Sequence, residues 1–326
     1  MIKQPILKVE DLTIDYLVLD GVVKAVRDVS FMVNEGEVLC LVGESGSGKT
    51  TVGLAIAGAL PENAVIRRGR IIFKERDILE QRRKETSTIE DRIMMIFQDP
   101  AATLNPLFRV GEIISDVIKY HLKITNPVEL RERVLESLRV VELPDPERVF
   151  NSYPHELSGG MLQRVVIATA LSIGPKLLIA DEPTTMLDVT LQAQILELLI
   201  NLKKKFGLSI IFITHNLGVA VEIGDRIIVM YGGEIVEEAR SGELLENPLH
   251  PYTRGLIDCI PKTHIKYHKL RSIPGMMPDL RNPATGCIFA DRCPEVMDIC
   301  RGVKPRLIEF LKDHRVACHL YRVEER

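Results

Sequence analysis

The pattern of apolar and polar residues predicts strands at the start of the chain, helices in the middle, and alternating strands and helices beyond. Residues 6–14 alternate in the manner of a half-buried strand, and residues 38–42 form a continuous apolar run ahead of a glycine-rich loop. A helix is expected to begin within that loop and to end near residue 59, ahead of Pro61. Residues 100–156 are expected to be mostly helical.

Beyond residue 177 the pattern changes to buried strands separated by a helix. Residues 177–180 and 209–213 are continuous apolar runs, and apolar residues recur at helical spacing between residues 191 and 202. Continuous apolar strands joined by helices are typical of a parallel sheet that is covered on both faces. The sequence therefore predicts an α/β fold with a helical insertion at about residues 100–165.

Composition narrows the class of protein. The 326 residues are 46% hydrophobic and 27% charged, and the formal net charge of −3 gives no indication of nucleic-acid binding. No apolar run approaches the length that spans a bilayer, and the first five residues lack the apolar stretch of a secretion signal. We therefore expect a cytoplasmic protein that reaches a membrane only by docking to a membrane partner.

The glycine-rich segment at residues 43–50 matches the phosphate-loop template G-x-x-x-x-G-K-[ST] at every position. Glycines allow backbone N–H groups to curl around a phosphate, and the following helix adds the positive end of its dipole. Lys49 is expected to contact the β- and γ-phosphates of ATP, and the Thr50 hydroxyl is expected to bind Mg²⁺. The residues expected to hold the nucleotide here are Gly43, Glu44, Ser45, Gly46, Ser47, Gly48, Lys49, Thr50 and Thr51.

Polar residues at the ends of apolar strands complete the candidate chemistry. Asp181 directly follows residues 177–180, where an acid faces the ligand crevice of a parallel sheet, and it is expected to bind Mg²⁺. Glu182 comes next and is expected to polarise the attacking water. His215 ends the following strand and is expected to hydrogen-bond the γ-phosphate. Gln98 ends another strand and is expected to reach Mg²⁺ or the attacking water.

A second glycine-rich turn, at residues 157–161, stands at the head of another predicted helix. Its glycines and the helix N-terminus would let backbone amides approach a phosphate closely. The phosphate loop and this turn are interpreted as two halves of one ATP site that cannot meet within a single molecule. ATP is therefore expected to join two molecules.

These motifs together resemble the ATP-binding-cassette (ABC) family over residues 5–240. Residues 43–50 are similar to its Walker A motif, and residues 177–182 to its Walker B motif with the catalytic glutamate. Residues 157–161 are similar to its signature motif, with Met161 in place of the usual glutamine. The resemblance implies a P-loop ABC-type nucleotide-binding domain with a RecA-like core, an N-terminal antiparallel β subdomain and the helical insertion.

The resemblance also implies roles for single residues. Gln98 is similar to the Q-loop glutamine and His215 to the switch histidine of the family. Asp188 is similar to the D-loop aspartate and is expected to contact the nucleotide, and Tyr16 stands where the family stacks an aromatic ring on adenine. The signature residues that would close over the γ-phosphate held by the other cassette are Ser158, Gly159 and Gly160. ATP would thus bring two cassettes together head to tail, and hydrolysis would release them.

The stretch from residue 246 onward differs in composition, because it is more basic than the rest and holds five of the six cysteines. We therefore predict an ABC ATPase domain at residues 1–245 and a small C-terminal cysteine-rich module at residues 246–326. The sequence His-Pro-Tyr-Thr at residues 250–253 resembles the tail of the oligopeptide/dipeptide/nickel importer subfamily.

The subfamily resemblance implies a Mg²⁺-dependent ATPase subunit that powers uptake of peptides across the cell membrane. The alternatives are the same motor importing oligosaccharides or nickel, and a soluble ABC protein without a transport role. The implied partners are a second, different ABC ATPase subunit, transmembrane permease subunits and, indirectly, an extracellular substrate-binding protein. Nucleic acid is not expected as a partner, and the implied location is peripheral, at the cytoplasmic face of the cell membrane.

Four cysteines form a separate constellation with five, six and seventeen residues between them: Cys287, Cys293, Cys300 and Cys318. Zinc is usually held by more closely spaced cysteine pairs, whereas wider spacing suits an iron–sulfur cluster. Dipeptide-importer ATPases with a similar cysteine pattern hold a [4Fe–4S] cluster, and the resemblance implies the same cluster here. Zinc and buried free thiols are the alternatives.

Overall fold

The structure, a computed structural model, describes residues 4–83, 93–260 and 272–321, with residues 81–83 described by their backbone alone. By its contacts the chain divides into a first unit, Met1–Leu79 with Phe212–Arg326, and a second unit, Glu80–Ile211. The predicted domain boundary between residues 245 and 246 stays a prediction.

The described strands are β1 Pro5–Val18, β2 Gly21–Asn34, β3 Val38–Val42, β4 Ala64–Phe73, β5 Arg76–Asp77, β6 Ile93–Ile96, β7 Leu177–Asp181, β8 Ser209–Thr214, β9 Arg226–Tyr231, β10 Glu234–Arg240, β11 Ile308–Leu311 and β12 His314–Val316. The described α-helices are α1 Lys49–Ala57, α2 Ile78–Arg83, α3 Pro100–Thr103, α4 Val110–Leu122, α5 Pro127–Val140, α6 Pro146–Asn151, α7 Gly159–Leu171, α8 Val189–Phe206, α9 Leu217–Ile223, α10 Ser241–Glu246, α11 Pro251–Asp258 and α12 Asp298–Gly302. None of these helices combines the length and apolar character needed to cross a bilayer.

An antiparallel sheet begins the first unit, with strand order β2-β1-β4-β5. Along β1, Leu7 and Val9 are buried while Lys8 between them is exposed, as the alternating pattern predicts. The register shifts between Val9 and Leu12, where Asp11 adopts a φ of 49°, and this bulge turns Leu12 back toward the core. The N-terminal antiparallel β subdomain is therefore confirmed.

The other sheet of the first unit contains strands from both ends of the chain, in the order β11-β12-β10-β9-β3-β8. Strands β3 and β9 are parallel, and the side chains of β3 are fully buried, as a continuous apolar run requires. Helix α1 follows β3 after the glycine-rich loop and ends at Ala57, where Gly58 caps it with a φ of 73°. The predicted end at residue 59 is thus late by two residues.

The C-terminal part of the chain continues the sheet of the first unit. Strand β12 pairs antiparallel with β10, which places Val316 opposite Glu237, and β11 extends the sheet by one more strand. Pairing with β12 satisfies backbone groups that β10 would otherwise present at a bare edge. A separate cysteine-rich module is therefore not supported, because this stretch shares a sheet with the rest of the unit.

A buried carboxylate holds several C-terminal segments to that sheet. Glu237 has no exposed surface and accepts hydrogen bonds from the backbone N–H groups of Leu249 and His250, at 2.7 and 2.9 Å. Nε2 of His314, which is also fully buried, lies 2.7 Å from Oε1 of Glu237. The start of the C-terminal stretch and strand β12 are thus fixed by one side chain.

The second unit combines the predicted helical segment with the start of the βαβ pattern. Helices α3 to α6 occupy residues 100–151. Strands β6 and β7 pair in parallel, and β7 is followed in the sheet by β8, whose first half belongs to this unit. Helix α5 begins at Pro127 because the Asn126 side chain caps the backbone N–H groups of the first turn. Helix α8 buries the residues that recur at helical spacing, among them Leu198, Leu199 and Leu202.

Candidate functional site

The phosphate loop joins β3 to α1 in the first unit, and its shape depends on glycine. At Gly48 the backbone has a φ of 96°, and a Cβ there would lie 2.4 Å from the carbonyl oxygen of Ala25. At Gly43 a Cβ would lie 2.1 Å from the carbonyl oxygen of Met230. Residues with side chains cannot occupy these two positions without moving the backbone, so the glycines of the motif are required by packing as well as by ligand approach.

Lys49 lies at the start of α1 and points back over the loop. Its Nζ lies 2.8 Å from the carbonyl oxygens of Gly43 and Glu44 and 3.1 Å from Oγ of Ser47. The side chain is nearly buried, so its charge acts in a region where water screens it weakly. The ammonium group is therefore held where the motif places the β- and γ-phosphates of a nucleotide.

Tyr16 lies on β1 and is connected to the first turn of α1. Its hydroxyl lies 3.2 Å from Oγ1 of Thr51, and the ring is half-buried. Thr51 itself is buried, whereas Thr50 before it is exposed. The position beside the phosphate loop is compatible with the stacking predicted for Tyr16, which stays a prediction.

The acidic pair lies at the end of β7 in the second unit. Asp181 is the last residue of that buried strand and is 4% exposed. Glu182 is the next residue, with a φ of 46°, in the left-handed region that non-glycine residues seldom occupy. Such backbone strain persists only where surrounding contacts maintain it, and it is found disproportionately at functional sites.

Two side chains hold the Glu182 carboxylate. Nε2 of Gln98 donates to Oε2 of Glu182 at 3.1 Å, and the hydroxyl of Thr185 donates to the same oxygen at 2.9 Å. The strained backbone and these two donors fix the direction of the carboxylate. The structure therefore brings two of the predicted catalytic residues together, and it adds Thr185 as a positioning contact that spacing alone did not identify.

His215 directly follows β8 and belongs to the first unit. Its side chain is exposed, and the next residue, Asn216, caps α9 through the backbone N–H groups of Gly218 and Val219. The strand and the helix cap together set the direction in which the chain leaves the sheet. The position of His215 at the carboxyl end of a buried strand is as predicted.

Residues 26–185 match the ABC transporter family, and residues 236–300 match the family described as the C-terminal region of oligopeptide/dipeptide transporters. The chain is 46% identical over 316 residues to the probable peptide ABC transporter ATP-binding protein y4tR of Sinorhizobium fredii, which covers 96% of this chain and 94% of that protein. The chain belongs to the ABC transporter ATP-binding family. It is therefore an ATP-hydrolysing subunit of an ABC transporter.

Other relatives support the same family. The oligopeptide transport ATP-binding protein OppD of Bacillus subtilis is 46% identical over 314 residues, which covers 95% of this chain and 87% of that protein. Among solved structures, the dimeric post-hydrolysis state of the ATP-binding cassette MJ0796 bound to ADP and Pi is similar, with a TM-score of 0.63 and 32% identity. That similarity covers 72% of this chain and 98% of the other. The predicted ABC cassette fold is confirmed.

The signature turn of this ABC ATPase lies at the start of α7. Ser158 is the N-cap residue of that helix, and its hydroxyl accepts a hydrogen bond from the backbone N–H of Met161 at 3.4 Å. Ser158 and Gly159 are exposed, while a Cβ on Gly160 would press on Leu191 at 3.1 Å. The turn therefore presents a helix N-terminus to solvent, which is the geometry that favours an anionic ligand.

Asp188, which resembles the D-loop aspartate of the family, caps the next helix. The side chain of Asp188 accepts hydrogen bonds from the backbone N–H groups of Thr190 and Leu191, both at 3.0 Å. Met186 and Val189 on either side are largely exposed although they are apolar. Asp188 is thus seen as a helix cap, and its predicted contact with nucleotide stays a prediction.

The four C-terminal cysteines are reduced and lie in one neighbourhood of the first unit. The backbone N–H of Cys287 donates to the carbonyl of Cys300 at 2.7 Å. Burial is the largest cause that raises the pKa of Cys287 to about 12; a hydrogen bond from the Phe289 amide acts against it, and the nearby thiols of Cys300, Cys318 and Cys293 contribute to the rise. Burial likewise raises the pKa of Cys318 to about 11, with contributions from Cys293 and Cys300.

Within residues 4–83, 93–260 and 272–321, no group of three or more His, Cys, Asp or Glu side chains is arranged to hold a metal ion. The predicted iron–sulfur site at the four cysteines is therefore not confirmed, and neither is the zinc alternative. The raised pKa values of these thiols bear on iron and zinc alike. Such thiols stay protonated unless a bound cation stabilises their thiolate forms.

Proposed function

We propose that this chain hydrolyses Mg²⁺-ATP in a head-to-tail pair of cassettes and thereby drives the uptake of peptides through membrane permease subunits. The observation that carries the proposal is the Glu182 carboxylate, which a left-handed backbone and donors from Gln98 and Thr185 hold in one direction. A carboxylate fixed in this way is suited to orient and polarise an attacking water. Glu182 directly follows Asp181, and the chain belongs to the ABC family. The target of the water that Glu182 orients is therefore proposed to be a phosphate of ATP.

The phosphate loop of the first unit binds the nucleotide phosphates in this proposal, and residues of both units are assigned to Mg²⁺. Backbone amides of residues 43–50 and the N-terminus of α1 receive the phosphates, and Lys49 neutralises charge on the β- and γ-phosphates. Thr50 and Asp181 hold Mg²⁺, with Gln98 as a further oxygen ligand. Mg²⁺ prefers oxygen donors and retains several waters, which agrees with a hydroxyl, a carboxylate and an amide.

His215 and Tyr16 complete the roles proposed for single residues. The imidazole of His215 hydrogen-bonds the γ-phosphate and so distinguishes ATP from ADP. The ring of Tyr16 stacks on adenine, with its hydroxyl already placed beside Thr51. Stacking of aromatic rings contributes affinity beyond the apolar area that it buries.

Dimerisation follows from the geometry of the signature turn. The exposed N-terminus of α7, with Ser158, Gly159 and Gly160, supplies amides and a dipole to the γ-phosphate bound by the partner cassette. ATP then stabilises the closed pair, and hydrolysis removes the γ-phosphate that joins the two chains. The free energy of ATP binding becomes a movement of the cassettes, as in any equilibrium that a ligand shifts.

The substrate and partners are proposed from the relatives. The protein of Sinorhizobium fredii is described as a probable peptide transporter subunit and that of Bacillus subtilis as an oligopeptide transporter subunit. We therefore propose peptides as the cargo, with nickel or oligosaccharides as the alternatives. The cassette pairs with a second, different ABC ATPase on permease subunits at the cytoplasmic face of the membrane, and an external binding protein delivers the peptide.

Co-purification tests this assembly. The chain carrying an affinity tag is purified from its native membranes in mild detergent, and the recovered proteins are identified by mass spectrometry. The proposal predicts a second ABC ATPase, permease subunits and Mg²⁺-dependent ATPase activity that Glu182→Gln abolishes. Recovery of only one ATPase species would remove the heterodimer, and recovery of no membrane protein would contradict a transport role.

We also propose that Cys287, Cys293, Cys300 and Cys318 bind an iron–sulfur cluster. The support is chemical: three of these thiols accept a hydrogen bond from a backbone amide two residues further along the chain, at Phe289, Glu295 and Leu320. Such amides stabilise the negative charge of a ligating sulfur. The cluster would organise the loop-rich segment, and no step of ATP hydrolysis depends on it.

An anaerobic absorption spectrum with iron, sulfide and zinc analysis tests the cluster. The proposal predicts a broad absorption band in the visible region and four irons per chain for a [4Fe–4S] cluster. Cys293→Ser should lose iron and colour, while Cys259→Ser, outside the set of four, should retain both. A colourless wild-type chain with one zinc would replace the cluster by a zinc site, and a metal-free chain would leave four free thiols.

A further inference from the structure

The phosphate loop is held by an arginine that is 248 residues away in sequence. Arg292 and Glu44, the second residue of the loop, form a two-point ion pair in which Nη1 lies 2.8 Å from Oε2 and Nη2 lies 3.1 Å from Oε1. Paired hydrogen bonds between a guanidinium and a carboxylate fix direction as well as distance. Only 7% of the Arg292 side chain and 28% of the Glu44 side chain are exposed, so water weakens the pair less than it weakens surface ion pairs.

The remaining donors of Arg292 hold its guanidinium in place. Nε donates to the carbonyl of Pro274 at 2.8 Å, Nη2 to the carbonyl of Ile273 at 3.2 Å, and Nη1 to the hydroxyl of Tyr231 at 3.1 Å. Together with the two bonds to Glu44, these contacts use all five N–H groups of an arginine. A lysine could supply the charge at this position but not the fork.

Glu44 is also bound through its main chain. Its backbone N–H donates to the hydroxyl of Tyr252 at 2.9 Å, and its carbonyl accepts from Nζ of Lys49 at 2.8 Å. Arg292 and Tyr252 both lie beyond residue 245, so the C-terminal part of the chain contacts the side chain and the amide of this loop residue. The loop receives phosphate through backbone amides, and its shape therefore depends on these contacts.

The segment between Cys287 and Cys293 supports both contacts. Arg292 lies within this segment. The ring centroid of Phe289 lies 5.1 Å from the ring centroid of Tyr231 and 5.3 Å from that of Tyr252. The aromatic residues that flank the ion pair are thus packed on this segment. Its effect reaches the nucleotide through the loop and not through contact with the reacting atoms.

We propose that Arg292 is a positioning residue for ATP, which holds Glu44 so that the phosphate loop is already in its binding shape. The inference rests on the proposed ATP site and adds to it a residue of the C-terminal segment. Preorganisation lowers the cost of ordering the loop on binding, so its loss weakens binding. Turnover at saturating ATP changes little, because Arg292 touches neither the attacking water nor the γ-phosphate in this role.

A double-mutant cycle on the full-length chain tests the proposal. The dissociation constant of a fluorescent ATP analogue with Mg²⁺ is measured for wild type, Arg292→Gln, Glu44→Gln and the double variant. Each single change is expected to weaken binding roughly five- to tenfold, and the double variant no further, because all three lack the same contact. For Arg292→Gln, steady-state kinetics should show a raised KM for ATP with kcat within about twofold of wild type.

Further variants separate positioning from folding. Arg292→Lys keeps the charge without the fork and should weaken binding as Arg292→Gln does, while thermal melting checks that each variant is folded. The matched control is Arg301→Gln, because Arg301 also adjoins a cysteine but its exposed side chain forms an ion pair with the exposed Asp291, at 3.3 Å. Wild-type affinity in folded Arg292 variants, or additive losses in the double variant, would overturn the proposal. A wild-type chain that binds no ATP would instead refute the proposed function.

Discussion

The phosphate loop and the C-terminal segment at residues 272–321 both lie in the first unit, but different interactions maintain them. The loop is shaped by glycines that packing requires, by Lys49 over the loop's own carbonyls, and by the contacts of Arg292 and Tyr252 with Glu44. The C-terminal segment is held by buried polar side chains, among them Glu237 and His314, and it contains four neighbouring thiols. The phosphate loop depends on the backbone geometry that phosphate binding requires. The C-terminal segment depends on hydrogen bonds made by buried polar side chains.

This difference explains why the ligand of the phosphate loop can be predicted from the sequence, whereas the ligand of the four thiols cannot. Phosphate binding by backbone amides fixes residue types and spacing within eight positions, so the motif specifies its ligand. Four thiols are compatible with a cluster, with zinc or with no metal, and spacing alone does not choose. The comparison predicts that changes in the catalytic machinery alter turnover without altering stability, whereas changes in the buried network of Glu237 and His314 alter stability first.

The largest expected effect is on catalysis. Glu182→Gln should lower the rate of ATP hydrolysis by about 10²–10⁴-fold, because an amide cannot accept a proton from the attacking water. ATP binding and the melting temperature should stay near wild type, since Gln can still accept from Gln98 and Thr185. The measurement is steady-state phosphate release with parallel nucleotide binding. Glu197→Gln, an exposed position on α8, is the control, and equal losses at both positions would contradict the assignment.

The next effect is on stability in the C-terminal network. Glu237→Ala removes the acceptor of three buried hydrogen bonds, so the free energy of unfolding should fall by roughly 3 kcal/mol or more. Urea denaturation measures this, with Glu246→Ala at an exposed position as the control. Below the unfolding transition the variant should bind ATP within about twofold of wild type. A stable Glu237→Ala protein that has lost ATP binding would contradict the expectation that this network affects stability first.

The smallest effect is a pH dependence of stability. Burial lowers the pKa of His250 from 6.5 to about 4, with Glu237 acting against the shift and Arg254 adding to it. The unfolded chain therefore takes up a proton near pH 6.5 that the folded chain refuses until about pH 4, and stability falls as the pH drops between these values. The loss should reach up to about 3 kcal/mol across that window.

Urea denaturation at several pH values isolates this contribution. His250→Asn can still cap α11 through its side chain, and the dependence of stability on pH should become shallower by the amount that His250 contributes. His155→Gln, at an exposed histidine, should keep the wild-type dependence. If the His250 variant and wild type lose stability in parallel, the buried neutral histidine is not the source.

Much of the fold could be predicted because its signals are local. The apolar runs of β3, β7 and β8 and the helical spacing in α8 each indicate their own burial, and the structure has them there. The pairing of β12 with β10 could not be predicted, because β12 has only three residues and its partner is almost eighty residues away. Short strands carry too few alternating positions to specify a register.

The candidate site divides in the same way. Motif spacing located Lys49, Asp181 and Glu182, since each stands at a fixed place in a strand–loop–helix unit. The left-handed backbone of Glu182 and the clamp of Arg292 on Glu44 follow from tertiary packing, and no short pattern in the sequence encodes them. In the sequence Arg292 precedes Cys293, one of the four cysteines predicted to bind metal, but its guanidinium contacts the phosphate loop instead.

Peptide uptake by living cells tests the central claim most directly. Cells whose own copy of this chain has been deleted are supplied with the wild-type chain or with Glu182→Gln, and accumulation of labelled dipeptides and oligopeptides is measured beside labelled nickel and oligosaccharide. The account predicts that the wild-type chain restores peptide uptake and that Glu182→Gln, present at the same level, does not. Equal peptide uptake with the two chains, or restoration of another solute instead of peptides, would contradict it.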